Sequence, residues 1–177
     1  MLKKLKSKAG MTLMEMMVSL LVMVLLVLAM GTGMNAGVRV YNDANFEAHS
    51  ATLAANINTA LTDILRYAQD VKTPEGGSPS FVFTNLEYGL RDAYFNCNDG
   101  IVQIAFWAAP SPTGTSTSIT PKALVNSGSY NGLKVTNFTV KPPVKDSRGI
   151  YFEISYKIES PDGKTKDAAA VVRLMAK

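Results

Sequence analysis

Apolar and polar positions divide this chain into stretches with different periods. From Met16 to Val38 no residue is charged, 23 positions in a row, and Met, Leu and Val dominate. At about 1.5 Å per residue, such a helix is long enough to cross a hydrocarbon layer about 30 Å thick. From Val38 to Val71 there is no proline, and apolar residues recur at Leu53, Ile57, Leu61, Ile64, Leu65 and Ala68. Asn56, Asn58, Asp63 and Arg66 fall on other faces. That spacing predicts a continuing amphipathic helix whose stripe packs onto a sheet. Running from Met11 to about Val71, the whole helix would measure about 90 Å, its first half projecting from the domain. The breaker Thr73-Pro74-Glu75-Gly76-Gly77-Ser78-Pro79 ends it.

Downstream the period changes to two. Ile150, Phe152, Ile154, Tyr156 and Ile158 alternate with Tyr151, Glu153, Ser155 and Lys157, the pattern of a half-buried strand. Ser160-Pro161-Asp162-Gly163 makes a hairpin turn, and Ala168–Leu174 returns antiparallel. Leu133–Val140 is expected to pair through the turn Asp146-Ser147-Arg148-Gly149, with a bulge near Asn137 where its apolar phase slips. Ser80–Thr84 and Ile101–Trp107 read as short strands, the second following the turn Asn98-Asp99-Gly100. Ala108 to Gly132, rich in Ser, Thr, Gly and Pro, is expected to be an exposed loop. The fold class is therefore α+β: a long N-terminal helix, transmembrane in its first half, packed on a small antiparallel sheet head. Residues 11–38 form the membrane segment, 39–72 the amphipathic continuation and 73–177 the head.

Composition adds little to the pattern, but charge changes it. The chain has 177 residues, 18 basic against 14 acidic, for a net +4. Lys3, Lys4, Lys6 and Lys8 supply that excess, since removing those four leaves 14 basic and 14 acidic residues. Net charge thus offers no argument for nucleic acid. It does orient the apolar segment, because positive charge on the near side keeps the N-terminus cytoplasmic. A cleaved secretory signal is the competing expectation, with Ala29-Met30-Gly31 as its cut site, although its apolar core should span only about 7–15 residues.

Glu15 stands out. A carboxylate near the start of an apolar helix costs about 2.5–3.5 kcal/mol at mid-membrane and less at the edge, so it is expected to meet an opposite charge. The string Lys8-Ala9-Gly10-Met11-Thr12-Leu13-Met14-Glu15-Met16-Met17-Val18-Ser19-Leu20-Leu21 resembles the processing and assembly segment of type IV prepilins and pseudopilins. The resemblance implies a leader of residues 1–10 and cleavage between Gly10 and Met11 by the prepilin peptidase, a membrane aspartyl protease. It also implies N-methylation of Met11 and retention of the helix in the mature chain. Glu15 would then meet the N-terminal amine of a neighbouring subunit. Met11 stands where the family usually has phenylalanine, and the helix-breaking proline common in major pilins is missing. The implied partners are other pilin subunits, the peptidase and the assembly platform in the membrane. The implied location is the cytoplasmic membrane, then an extracytoplasmic filament. A free amine and a carboxylate four residues later suit this pairing, because either group left alone in low dielectric is costly.

The remaining candidate chemistry is sparse. A single cysteine, Cys97, excludes an intrachain disulfide, and a single histidine, His49, leaves little for catalysis. No Gly-x-Ser-x-Gly, His-Glu-x-x-His or phosphate loop occurs, so no catalytic residue and no cofactor are expected. Asn96, Asn98 and Asp99 offer oxygens to calcium, but a turn before a strand explains them equally well. Nine basic against five acidic residues from Leu133 to Lys177 make DNA a conceivable partner, with a solvated sheet face favoured over it. Gly31, Gly33 and Gly37 weaken the helix by about 1 kcal/mol each, and Gly33 with Gly37 fits a small-xxx-small contact. The expected function is a structural subunit of a type IV pilus or related filament. The alternatives are a minor pilin or pseudopilin of a secretion or DNA-uptake machine, and an uncut membrane-anchored binding protein.

Overall fold

The computed structural model describes residues 12–74, 79–107, 119–147 and 149–175. It divides into two units, one ending at Asn45 and the other running from Phe46 to Lys177. Helix α1, Leu13–Arg66, contributes to both. In the second unit it is followed by β1 (Gln69–Lys72), β2 (Val82–Asn85), β3 (Leu90–Asn98), β4 (Ile101–Trp107) and β5 (Ile119–Ala123). A short 3-10 turn, Ser127–Tyr130, precedes β6 (Lys134–Val140), β7 (Val144–Asp146), β8 (Gly149–Glu159) and β9 (Thr165–Arg173). Helix on antiparallel sheet is the α+β arrangement the periodicity predicts.

The first five strands form one antiparallel meander in chain order. The second sheet is built around β8. Strand β9 pairs along its whole length from Tyr151↔Arg173 to Glu159↔Thr165. The opposite edge of β8 is shared by β6, opposite Ile154–Glu159, and β7, opposite Gly149–Tyr151. Pro142 and Pro143 explain the break between β6 and β7, since neither can donate a ladder hydrogen bond. Strand β6 pairs with β8 as expected, but the strand that leads directly into β8 is β7, paired from Val144↔Tyr151 to Asp146↔Gly149, a correction to the expected direct connection. The bulge near Asn137 is present: the register slips between Thr136 and Thr139, and Asn137 has a φ of 51°.

One core joins the helix to both sheets. Leu53, Ile57, Leu61 and Leu65 are fully buried, four residues apart, as the stripe requires. They meet Phe83, Val102 and Ile104 from the meander and Val135, Phe152, Ile154 and Ile158 from the second sheet. Phe81, just before β2, packs against Phe152 of β8 with tilted rings whose centroids are 5.1 Å apart. Burying each such side chain contributes about 1.5–3 kcal/mol, which is where the unit's stability resides. Ile150 departs from the expected pattern: at the end of β8 it remains 37% exposed.

Helix α1 stops at Arg66, short of the expected Val71, and β1 occupies the difference. The last carbonyls of a helix need partners, and here distant residues supply them. Asn85 Nδ2 donates to the Ile64 carbonyl at 2.8 Å, and the Met175 N–H donates to that of Arg66 at 3.0 Å. Asn85 is fully buried, and its Oδ1 accepts from the Glu87 N–H at 3.0 Å. A second correction concerns the expected loop at Ala108–Gly132. Residues 108–118 lie outside the described residues, but Ile119–Ala123 is a strand on β4. Tyr130, in the same stretch, is buried, its hydroxyl accepting from the Val102 N–H at 2.9 Å.

Candidate functional site

The first unit offers one polar constellation on an apolar helix. Thr12 precedes the helix, and its Oγ1 accepts from the Glu15 N–H at 3.3 Å. The Glu15 carboxylate reaches back, its Oε2 accepting from the Thr12 N–H at 3.4 Å. This reciprocal pair is a capping box, which satisfies two of the donors that a helix start leaves open. Its signal, Thr-x-x-Glu ahead of an apolar run, is visible in the sequence. One turn on, the Ser19 hydroxyl donates to the Glu15 carbonyl at 2.7 Å. Glu15 also brings negative charge to the helix N-terminus, where the macrodipole favours it.

Around this cap the side chains are mostly apolar, and all are uncovered. No residue from Thr12 to Asn45 is buried within the chain. Leu13, Met14, Met17, Leu20, Leu21 and Met23 are each more than half exposed. The helix contains a segment long and apolar enough to cross a membrane. A soluble monomer rarely exposes more than about 300–600 Å² of contiguous apolar surface, so a run of this kind favours cover by lipid or by another chain. Compatibility with a membrane anchor follows directly. Gly31, Gly33 and Gly37 have nothing within 4 Å of where a Cβ would stand, so no close helix contact forms there within the chain. Gly10 and Met11, the expected cleavage and methylation positions, lie outside the described residues.

The other candidates fall in the second unit and do not converge. His49 is exposed, its Nε2 at 3.4 Å from Asn131 Nδ2. Cys97 is half-buried, its thiol donating to the Val135 carbonyl at 3.3 Å. Burial pushes its pKa up, with a backbone hydrogen bond from Gly100 opposing, so the inert thiol form prevails. Asp99 sits in the β3–β4 turn at a φ of 50° and pairs with Lys134 at 3.3 Å. Among the described residues no group of three His, Cys, Asp or Glu side chains could hold a metal. Of the nine basic residues that suggested a basic face, Lys134 and three more lysines are ion-paired: Lys141 with Glu153, Lys157 with Asp167, and Lys166 with Glu47.

Compared with protein-family models, curated proteins and solved structures, the chain matches none of them. What the fold itself defines is an α+β arrangement whose long helix is mostly apolar and uncovered in its N-terminal part.

Proposed function

We propose that this chain is a pilin-like structural subunit, made as a membrane-inserted precursor, trimmed between Gly10 and Met11 and packed helix to helix into an extracytoplasmic filament. One observation carries most of the weight. A helix bare of cover from Leu13 to Val40 holds a single acidic group, Glu15, in its first turn. The first-turn carboxylate already serves one backbone donor, yet keeps lone pairs for a second. After cleavage the new amine at Met11 would lie close to it in sequence, so neighbouring copies with an axial offset could exchange amine for carboxylate. That exchange fixes register, and the apolar surface supplies the bulk of the contact. The chain carries out no reaction in this scheme; it is the substrate of a peptidase and a methylase.

Cleavage at glycine has a steric logic, because a residue without Cβ lets a protease approach the backbone closely. Mass spectrometry of the N-terminus in material extracted from membranes tests the proposal. A methylated Met11 is the expected first residue. A chain starting at Met1 would indicate an uncut anchor, and one starting after Gly31 a secreted domain; either refutes it.

A further inference from the structure

The open edge of β9 is unlike the other sheet edges. Strand β1 is four residues long and interrupted at Asp70, which has a φ of 47°. Strand β5 carries Pro121 and Lys122, and the β6–β7 edge is broken by Pro142 and Pro143. Short strands, prolines and lysines are the usual protections against pairing with another chain. Strand β9 has nine residues and no proline, with Ala168-Ala169-Ala170-Val171 at its centre. Among the described residues it pairs only with β8.

The register identifies which groups are open. Leu174 N–H donates to the Ile150 carbonyl, and hydrogen bonding alternates along an antiparallel ladder. Lys166, Ala168, Ala170 and Val172 therefore turn their backbone groups toward β8. Thr165, Asp167, Ala169, Val171 and Arg173 turn theirs outward. The side chains of these five residues are exposed as well, Val171 by 63%.

We propose that β9 pairs antiparallel with β9 of a second copy of this chain, about a two-fold axis at Ala170. The occupant follows from charge. An antiparallel strand matched to this edge needs a cation opposite Asp167, small apolar residues opposite Val171 and Ala169, and an anion opposite Arg173. Read in its own direction, that strand is Asp-x-Ala-x-Val-x-Arg, which is β9 itself. About the axis, Asp167 faces Arg173 of the second copy and Ala169 faces its Val171. Each of these is an outward-facing pair, so about eight ladder hydrogen bonds form. Within one copy Asp167 lies 3.7 Å from Lys157, and Arg173 stacks over Tyr151 at 5.9 Å. The pairing extends both into one cross-strand row, Lys157, Asp167, then Arg173 and Tyr151 of the second copy.

The axis reverses the direction of the Phe46–Arg66 part of α1 between the two copies. Neighbours packed in parallel within one filament share a direction, so under the filament proposal this contact joins copies from different filaments. It does not depend on trimming at Met11, and either proposal can fail alone.

The test uses the full chain in detergent with Cys97→Ser and a single new cysteine under mild oxidation. Ala170→Cys places two thiols across the axis, where facing Cα atoms of a non-hydrogen-bonded pair are about 4.5 Å apart, within disulfide reach. A disulfide-linked dimer is expected. Ala168→Cys, equally half-buried, sets its thiols about 13 Å apart and is expected to stay monomeric. Equal cross-linking at the two positions, or none at Ala170→Cys, overturns the proposal. With Ala170→Cys retained, Asp167→Arg and Arg173→Asp each set like charges opposite one another twice. Each alone is expected to cross-link about tenfold less, and mixing the two is expected to restore cross-linking as a heterodimer. Failure of the mixture to recover also overturns it.

Discussion

The hydroxyl of Tyr156, in the central strand β8, lies 2.9 Å from Asn58 Oδ1 and 3.2 Å from the Ala54 carbonyl oxygen, one turn apart on α1. A single phenolic proton thus binds the helix to the middle of the second sheet. Tyr156→Phe keeps the ring and loses the bond, and is expected to cost about 1 kcal/mol. Urea denaturation of the solubilised chain measures it, with Phe138→Ala as a packing control at the neighbouring ring 6.2 Å away.

The same hydroxyl predicts an alkaline limit. Burial raises the pKa of Tyr156 well above its ordinary value, and also raises that of Tyr130, where the Val102 hydrogen bond partly opposes it. In the unfolded chain both ionise near pH 10, while the folded state holds the protons. Their stability contribution is therefore complete below about pH 10 and declines as pH rises beyond it. Tyr156→Phe should flatten that alkaline decline, read as melting temperature against pH from 8 to 12.

Gly100→Ala is expected to destabilise the second unit by about 1–3 kcal/mol. Its φ is +79°, and an added Cβ would stand 2.7 Å from that of Lys134, in β6. The Gly100 carbonyl also accepts from the Val135 N–H at 2.9 Å, so the backbone cannot move away without losing a bond between the sheets. The check is a lowered denaturation midpoint, compared with Gly163→Ala, where φ is +79° and nothing lies within 4 Å.

Glu15 holds two separable roles, a cap within the helix and the proposed charge partner between subunits. Glu15→Gln retains a side-chain acceptor for the Thr12 N–H and removes the charge. It should preserve helicity and lower filament yield severely. Thr12→Ala should do the reverse, fraying the first turn at a cost of about 1 kcal/mol while leaving the charge in place. Circular dichroism and the yield of sheared filaments separate the two effects. Equal yields from Glu15→Gln and the unaltered chain would remove the proposed charge pairing.

Gly10→Val should leave the precursor uncut, with no loss of the ten-residue leader from the mass of the membrane-extracted chain. Complete trimming would contradict the proposed cleavage site.

Much of the fold follows from local pattern. The β8–β9 hairpin has unbroken alternation and a strong turn, and the helix stripe from Leu53 to Leu65 repeats every four residues. The capping box at Thr12 and Glu15 was equally plain in the sequence. Strand β3 was not, because Asp92, at a φ of 44°, and the register shift between Arg91 and Tyr94 break the period. Strand β5 was hidden for a different reason: Ile-Thr-Pro-Lys-Ala has little strand character and becomes a strand only because β4 offers it an edge.

By itself, then, the sequence determined where the apolar helix lies, which helix face is buried and how the last hairpin pairs, since each depends on neighbours within a few residues. Tertiary structure decided where α1 stops, because the carbonyls of Ile64 and Arg66 are claimed by Asn85 and Met175, far along the chain. It also decided which strand edges are covered and which stay open, a matter of long-range pairing that no local period encodes.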